Sequence, residues 1–481
     1  MRLVRRGLLA SVLLLGCATV LQGQQPAYDL VIAGGRVMDP ESGLDAVRWI
    51  GIRDGRIAII SERRLEGRQT IDATGLVVAP GFIDLHAHGQ DDENYRVFAL
   101  DGVTTALELE VGTGDVAAWY ASREGKALIH YGASSSHIQS RARVFDDPSP
   151  FLPSGDGGRA TATPARLEAI KAGVRQGLDQ GGLGIGMGLQ YTPGATRWEV
   201  LEMFRIAAER KVPVFVHNRA FGQQEPGSAV EAFLEVIGAA ALTGAPLHIV
   251  HLNSMSLGST PETLRMVQEA RDRGLDVSTE AYPYSAGMTA IESALLDQYE
   301  GAPDSMYQRM QWVQTGERLT RETFAKYRKE GGMVILHLNT PGMEAMAITS
   351  PLTAIASDGG LQEGKGHPRS TGTYARVLGH YVRETGALTL MDAIRKSTLM
   401  PAQRLETMAP MFRDKGRIRA GADADIAVFD PAAVTDRSTY QLPARPSVGF
   451  RHVLVNGTVV VRDGVVVDGV FPGRAARAPV R

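Results

Sequence analysis

The chain has 481 residues, of which 44% are hydrophobic and 22% are charged. A chain of this length can bury a large apolar core and a smaller accessory unit, and its composition argues against an intrinsically disordered protein. Lysine and arginine together number 51 against 53 acidic residues, a net charge of −2, so no overall charge attracts nucleic acid or an anionic membrane. We therefore expect a small molecule, and no nucleic acid, as the partner.

The first residues have the pattern of an export signal. Three arginines within residues 2–6 precede an apolar run over residues 8–15, which is too short to span a bilayer as a mature helix. The Leu-Leu-Gly-Cys tetrapeptide that ends at Cys17 resembles the lipobox of bacterial lipoproteins, in which the cysteine is acylated. We assign residues 1–27 to a leader and linker, and predict an exported protein that is periplasmic or anchored to a bacterial membrane through Cys17. Ordinary signal cleavage a few residues later is the alternative.

Two segments near the ends of the chain share a β-strand pattern. Apolar and polar residues alternate between Gly- and Asp-containing turns over residues 28–78, for example at residues 30–35. The same alternation returns at residues 424–429 and 453–460. We predict that residues 28–78 and 413–475 together form a small β-sandwich domain.

Between these segments, strand-like apolar runs alternate with helical stretches over residues 79–412, which indicates a parallel sheet with crossover helices. The candidate strands end at His88, Glu110, Ser135, Leu189, His217, His251, Ala281 and Asp358. Eight such endings predict an α/β fold, a (β/α)8 or TIM barrel, in which the chemistry belongs at the C-terminal ends of the strands. Residues from about 287 to 350 carry more helix signals and an extra strand-like run at 333–338, and we interpret them as an insertion over the barrel mouth.

A pair of histidines marks the first candidate strand end. His86 and His88 follow an apolar run at residues 76–78 and a Pro-Gly turn. Because side chains two residues apart on a strand point the same way, these two histidines are suited to holding one metal ion.

Three further residues end other apolar runs. His217 closes residues 212–216, His251 closes residues 247–250, and Asp358 directly follows a third run. A carboxylate in that position can bind a cation and accept a proton from metal-bound water. Lone histidines elsewhere are expected to pack in the core; these are His130, His248 and His337.

With this ordered set the chain resembles the amidohydrolase superfamily, and more narrowly its D-aminoacylase branch of N-acyl-D-amino-acid deacylases. The matching motifs lie at residues 102–105 (Gly-Val-Thr-Thr), 188–194 (Gly-Leu-Gln-Tyr-Thr-Pro-Gly), 282–287 (Tyr-Pro-Tyr-Ser-Ala-Gly), 367–379 (beginning His-Pro-Arg) and 415–418 (Lys-Gly-Arg-Ile). The resemblance covers essentially everything after residue 28.

The resemblance implies a site with one or two divalent metal ions, zinc being the expected one. The implied ligands are His86 and His88 on one ion, His217 and His251 on the other, and Asp358, which also acts as general base. The resemblance further implies that Arg369 binds a substrate carboxylate, for which its planar fork is suited. Tyr284 and Tyr191 are implied near the scissile carbonyl, with ordinary strand packing as the alternative for both.

The chain departs from this family at two positions. The family's bridging ligand is a cysteine, and elsewhere in the superfamily a carboxylated lysine or a glutamate, but Cys17 is the only cysteine here and Gln190 ends the fourth strand where a lysine would stand. A carboxylate can bridge two cations, so we predict Glu110 as the bridging ligand, with Glu108, which faces the same side, as the alternative. Asn253 stands where family members commonly carry a lysine that reaches the substrate, which leaves the substrate preference open.

We therefore predict a metal-dependent hydrolase of amide C–N bonds, an N-acyl-D-amino-acid deacylase that acts on a small N-acyl amino acid or related amide. A metal-activated hydroxide attacks the carbonyl, and Asp358 moves the proton to the leaving nitrogen. A cyclic amidase of the dihydroorotase or hydantoinase type, or a dipeptidase, is the alternative among enzymes. A catalytically silent envelope binding protein is the alternative from another class.

Overall fold

The computed structural model describes residues 27–149 and 151–481. The predicted export signal and Cys17 therefore lie outside the described residues. Of the helices within the described ranges, none is both long enough and apolar enough to cross a membrane.

The strands in chain order begin with β1 (Tyr28–Asp39), β2 (Leu44–Arg53), β3 (Arg56–Ser61), β4 (Gly67–Asp72) and β5 (Val77–Pro80). They continue with β6 (Phe82–Asp84), β7 (Val103–Thr113), β8 (His130–Ser136), β9 (Ile185–Gly188), β10 (Val214–His217), β11 (Leu247–Ile249) and β12 (Val277–Ala281). Then follow β13 (Gly287–Ala290), β14 (Met310–Trp312), β15 (Met333–Leu336), β16 (Thr353–Ile355), β17 (Leu361–Gln362) and β18 (Lys365–Gly366). The last strands are β19 (Ile426–Phe429), β20 (Phe450–Val455), β21 (Thr458–Arg462) and β22 (Val465–Val466).

The helices begin with α1 (Asp92–Leu100), α2 (Val116–Ala121), α3 (His137–Val144), α4 (Asp156–Arg159), α5 (Pro164–Asp179), α6 (Arg197–Arg210) and α7 (Ala229–Thr243). They continue with α8 (Leu252–Ser256), α9 (Thr260–Asp272), α10 (Asp304–Tyr307), α11 (Arg321–Glu330), α12 (Pro341–Thr349), α13 (Arg369–Arg376), α14 (Leu390–Ser397) and α15 (Leu399–Leu405). Short 3₁₀ turns lie at Leu257–Ser259, Ala294–Tyr299 and Pro410–Asp414, and a π-helix lies at Val377–Glu384.

Local sequence explains where the crossover helices begin and end. The hydroxyl of Ser228 accepts the backbone N–H of Glu231 at the start of α7, and the Glu231 side chain accepts an N–H in return, which is a capping box. The same helix stops at Gly244, whose φ of 72° suits a residue without Cβ. Thr163 caps α5 in front of Pro164, a residue that favours the first helical position.

In the described part of the chain, eight parallel strands form a nearly closed barrel in the order β16, β12, β11, β10, β9, β8, β7 and β6. Since helices connect the strands, all their C-terminal ends meet at one rim. The predicted (β/α)8 barrel is confirmed, and the ends predicted at His217 and Ala281 coincide with the ends of β10 and β12.

The barrel closes between its first and last strands through backbone bonds at this rim. The N–H of Asp358 donates to the carbonyl oxygen of His86 at 2.7 Å, and the N–H of His88 donates to that of Gly359 at 2.7 Å. We call this set of bonds the seam. It joins the segment after β6 to the segment after β16, which together carry three of the predicted metal ligands, His86, His88 and Asp358.

Both ends of the chain build a second sheet beside the barrel. Its strands run in the order β22, β21, β20, β19, β5, β1, β2 and β3, with β4 paired to β1. Apolar side chains from the two ends share one core cluster, which includes Ile32, Ile50, Ile426 and Leu454. The sheet is continuous from the N-terminal to the C-terminal strands, as expected of a β-unit made by both termini.

A smaller antiparallel sheet of β13, β15 and β14 lies between barrel strands β12 and β16 along the chain. Its apolar side chains, among them Trp312 and Val334, form a cluster with Val111 and Tyr191. Val111 lies near the C-terminal end of β7 and Tyr191 lies shortly after the end of β9, so the inserted sheet packs over the mouth of the barrel.

A buried ion-pair cluster connects the terminal sheet to the start of a barrel strand. The ammonium of Lys415 lies 2.6 Å from a carboxylate oxygen of Asp425 and 3.0 Å from one of Asp423. The imidazole of His130, the first residue of β8, contacts Asp425 at 3.1 Å. The ion pairs of Lys415 give the first residue of the Lys-Gly-Arg-Ile motif a structural role.

Replacing Lys415 by methionine is expected to destabilise the fold by about 3–5 kcal/mol, because Asp425 is then left buried without its cation. Denaturant unfolding followed by circular dichroism measures the loss. Arg175→Met is the control, since the Arg175–Glu209 pair lies on the surface, where such pairs contribute about 0–1 kcal/mol. Equal stability of the two variants would contradict the assigned role.

Candidate metal centre and active site

The ends of the barrel strands bring the predicted ligand residues into one cluster. Three overlapping groups have ligand atoms within 4.8 Å of one another: His86, His88 and Glu110; His86, His251 and Asp358; and Glu110, His217 and His251. Residues that lie up to 272 positions apart in the sequence, from His86 to Asp358, thus share one rim. We call these six side chains the rim cluster.

Glu110 stands at the centre of the rim cluster. Its Oε2 lies 3.1 Å from Nε2 of His86 and 3.2 Å from Nε2 of His88. Its Oε1 lies 2.7 Å from Nδ1 of His217 and 3.4 Å from Nε2 of His251. The two oxygens therefore face the two histidine pairs, as a bridging carboxylate requires.

Glu108 occupies a different place. Its Oε2 contacts Nδ1 of His88 at 2.9 Å, on the side of the ring that faces away from Glu110. It belongs to none of the three ligand groups among the described residues. The geometry therefore favours Glu110 over Glu108 as the bridging ligand.

In three of these imidazoles, the ring nitrogen that does not face Glu110 contacts a side-chain oxygen. Nδ1 of His88 faces Glu108, Nε2 of His217 faces the Gln190 side-chain oxygen at 3.1 Å, and Nδ1 of His86 faces Oε1 of Glu280 at 2.6 Å. Burial raises the pKa of Glu280, but the charge of His86 outweighs it and lowers that pKa to about 2. Outer partners of this kind fix the tautomer and orientation of metal-binding histidines.

Sequence reasoning missed Glu280 and its contact to the rim cluster. The signal was present, because Glu280 is an acid near the end of an apolar barrel strand. The predicted core residue His248 is buried as expected, yet its Nε2 contacts Oε2 of Glu280 at 3.0 Å.

The rim cluster carries an excess of negative charge. Burial lowers the pKa of His86, but the carboxylates of Asp358 and Glu110 outweigh it and raise that pKa to about 10. Burial raises the pKa of Asp358, but the charges of Arg369 and His86 outweigh it and hold that pKa below its usual value. A cation is therefore attracted to this rim.

Two residues of the rim cluster have a backbone conformation that L-residues rarely adopt. The φ of His251 is 30° and that of Asp358 is 53°. Such positions cost on the order of 1–3 kcal/mol each and persist only where the surrounding structure holds them. With this backbone conformation, both residues line the cavity above the rim.

Arg369 lies beside the cluster at the start of α13. Its Nη2 contacts Oδ1 of Asp358 at 2.8 Å, and Nδ1 of His367 accepts the backbone N–H of Arg369 at 3.1 Å. Its Nε and Nη1 are buried without a hydrogen-bond partner among the described residues. These two donors are positioned for an anionic ligand.

A cleft with two lobes lies above the rim cluster. The apolar lobe has a volume of about 510 Å³ and is lined by Phe221, Met255, Leu257, Leu295, Leu336 and Leu338 together with His217 and His251. The polar lobe has a volume of about 1110 Å³ and is lined by residues that include His88, Glu110, Lys365 and Arg369. Tyr191, Met288, Thr289 and Asp358 line both lobes.

The tyrosines predicted near the substrate lie in different places. Tyr191 lines both lobes, and its ring centroid is 4.5 Å from that of His217. Tyr284 instead donates its hydroxyl to Asp436 at 3.1 Å and lines neither lobe. Tyr282 lines the apolar lobe, with the guanidinium carbon of Arg369 4.6 Å from its ring centroid. The Tyr-Pro-Tyr motif by itself does not tell which tyrosine faces the cleft.

The donor atoms of the rim cluster fit a divalent metal ion. Imidazole nitrogens and carboxylate oxygens are the ligands that zinc uses at catalytic sites, and the outer partners described above complete that pattern. Since His86 and Glu110 each belong to two of the three ligand groups, the cluster can hold neighbouring ions.

Comparison with known proteins agrees with this geometry. The sequence profile of the amidohydrolase family matches residues 69–140 and 151–461. The N-acyl-D-glutamate deacylase of Alcaligenes xylosoxydans xylosoxydans is 30% identical, covering 91% of this chain and 94% of that protein. The D-aminoacylase of the same organism is 28% identical, covering 91% and 96%. The crystal structure of N-acyl-D-glutamate deacylase from Bordetella bronchiseptica, complexed with zinc and a phosphonate mimic of the tetrahedral intermediate, has a TM-score of 0.79 at 27% identity, covering 94% of this chain and 100% of that one.

Replacing Glu110 by alanine is expected to weaken zinc binding by more than about 100-fold, because the shared oxygens of two ligand groups are lost. Glu108→Ala removes an outer partner and should weaken binding by roughly 10- to 100-fold. Metal content after gel filtration and competition with a chromophoric chelator measure both effects. A larger loss in Glu108→Ala than in Glu110→Ala would reverse the assignment of the bridging ligand.

Proposed function

The chain belongs to the amidohydrolase family, and we propose on this basis that it is a metal-dependent hydrolase of amide C–N bonds that acts on N-acyl-D-amino acids. The observation that carries this proposal is the meeting of imidazoles, carboxylates and an arginine at one rim, where two donors of that arginine have no partner in the described part of the chain. The similarity to an N-acyl-D-glutamate deacylase and to a D-aminoacylase, which extends over 91% of this chain, supports it.

The rim cluster would hold one or two ions, and we propose zinc. The ligands are His86, His88, Glu110, His217, His251 and Asp358. Nitrogen and oxygen donors suit this ion, and the related Bordetella bronchiseptica structure is a zinc complex. When bound, such an ion lowers the pKa of a coordinated water to roughly 7 and polarises a carbonyl oxygen.

Asp358 is the proposed general base. It lines both lobes, and its Oδ1 is oriented by contacts to Arg369 at 2.8 Å and His88 at 3.2 Å. The carboxylate takes the proton of the attacking water and delivers it to the leaving nitrogen. Proton transfer by a positioned group contributes about 10²- to 10⁴-fold in rate.

Arg369 is the proposed anchor of the substrate carboxylate. Its buried Nε and Nη1 lack partners among the described residues, so the guanidinium keeps hydrogen-bond donors that a substrate carboxylate can accept. Asn253, at the position where the family carries a lysine, donates to the carbonyl oxygen of Tyr282 at 3.2 Å and lines neither lobe.

The charge of the lobes supports a preference for N-acyl-D-amino acids whose side chain is uncharged. The cations that line the cleft in the described ranges are Arg369 and Lys365, both in the polar lobe. The apolar lobe therefore suits an apolar acyl chain or side chain, since a buried carboxylate needs a paired cation.

We propose that the protein is exported and lipid-anchored through Cys17. Three arginines followed by an apolar run and the Leu-Leu-Gly-Cys tetrapeptide support this proposal.

Zinc-loaded protein is expected to hydrolyse N-acyl-D-amino acids with apolar side chains at least tenfold faster than their L-isomers and faster than acidic D-substrates. Release of the free amino acid, followed by chromatography, measures the rates. Asp358→Asn is the control and should retain its fold while losing more than about 10²-fold in rate. Activity confined to L-substrates would overturn the proposed substrate class.

Expressed in a bacterial host, the wild-type protein should fractionate with membranes and incorporate labelled fatty acid, because acylation of Cys17 supplies the anchor. Cys17→Ser is expected to lose the label. An unlabelled wild-type protein in the soluble fraction would exclude the lipid anchor.

A further inference from the structure

A chain of hydrogen bonds leads from the rim cluster into the interior of the barrel. Nδ1 of His86 contacts Oε1 of Glu280 at 2.6 Å, and Oε2 of Glu280 contacts Nε2 of His248 at 3.0 Å. Nδ1 of His248 then contacts Oγ of Ser278 at 2.8 Å. His86, Glu280 and His248 are each almost fully buried. We call this chain the relay.

The sheet register produces the relay. His248 on β11 is the register partner of Ser278 on β12. Ser278 and Glu280 are two residues apart on β12, so their side chains point to the same face. The relay therefore descends along adjacent strands, away from the C-terminal rim.

The donors of the relay have one consistent direction. Nε2 of His86 faces the ligand atoms of the rim cluster, so Nδ1 carries the hydrogen and donates to Glu280. Glu280 accepts at both oxygens, so Nε2–H of His248 is a donor and Nδ1 accepts the Ser278 hydroxyl. Among the described residues, Oε2 of Glu280 has His248 as its hydrogen-bond partner.

The far end of the relay lies in the wall of a second cavity. This cavity of about 990 Å³ is lined by His248 and Ser278 and by residues of the loops that precede β12 and β16, such as Asp276 and Leu352. Those loops stand at the end of the barrel where strands begin, opposite the rim. We call it the base cavity.

We propose that His248 is a positioning residue of the metal centre, acting through Glu280 on His86, and that the base cavity gives small solutes access to it. The inference rests on the proposed metal site but not on the proposed substrate. Without His248, one oxygen of Glu280 is left buried and unpaired, so Glu280 can rotate and His86 loses its fixed orientation.

The test uses the full-length protein and zinc affinity, measured by competition with a chromophoric chelator. His248→Ala is expected to weaken zinc binding by about 10- to 100-fold, the effect typical of an outer partner. His137→Ala is the matched control, because His137 is equally buried and contacts Glu199 at 2.8 Å, outside the relay. The control should lose stability and keep its zinc affinity.

Chemical rescue separates positioning from simple destabilisation. Imidazole that enters through the base cavity can donate to Glu280 and accept from Ser278, and should restore most of the affinity lost in His248→Ala. Imidazole should not raise the zinc affinity of His137→Ala or of the wild type. These two proteins therefore also serve as the reference for binding of imidazole to free zinc. Wild-type affinity in His248→Ala, or a loss that imidazole does not reverse, would overturn the proposal.

If His248→Ala does not fold, Ser278→Ala and Glu280→Gln test the same relay. Ser278→Ala removes the hydrogen bond that fixes the tautomer of His248. It should weaken zinc binding by a smaller factor than Glu280→Gln does. Unchanged zinc affinity in Glu280→Gln would refute the relay. Zinc affinity is measured without substrate. A failed deacylase assay would therefore contradict the proposed substrate class but not the relay.

Discussion

Buried carboxylates at the barrel rim have to be compensated by positive charge, because removing an isolated carboxylate from water costs several kcal/mol. Glu110 and Asp358 both lie almost fully buried at one rim, and Arg369 contacts only Asp358 among them. Burial opposes protonation of His86 and His88, but the neighbouring carboxylates outweigh it and raise the pKa of both, that of His86 to about 10. A divalent ion relieves this excess of negative charge, and the chemistry of amide hydrolysis follows from the same requirement.

The parts of the molecule that follow from periodicity could be predicted from sequence. Apolar runs that end in a histidine or an acid identify barrel strands and their functional ends together, since the fold gathers all strand ends at one rim. The side chains predicted in this way, among them His86, His217, His251 and Asp358, lie in one cluster with Glu110. They meet because each lies on or just after a strand whose direction is fixed by its neighbours.

The remaining parts depend on which side chains face each other across strands, and a single sequence does not contain that register. Glu280 and His248 lie on adjacent strands, and only the pairing of β11 with β12 shows that they touch. Tyr282 and Tyr284 are equally placed in their motif, yet only Tyr282 lines the cleft. The inserted sheet adds walls to both lobes, so the shape of the cleft also depends on packing between distant segments.

The seam of the barrel and three of the six proposed ligands occupy the same short segments. An ion held by His86 and Asp358 would cross-link the first strand to the last, in parallel with the backbone bonds between them. Ligand binding to the folded state alone contributes about 2.7 kcal/mol when free ligand exceeds its dissociation constant 100-fold. Thermal resistance and metal occupancy are consequently linked in this architecture, and chelation should loosen the closure of the barrel as well as stop turnover.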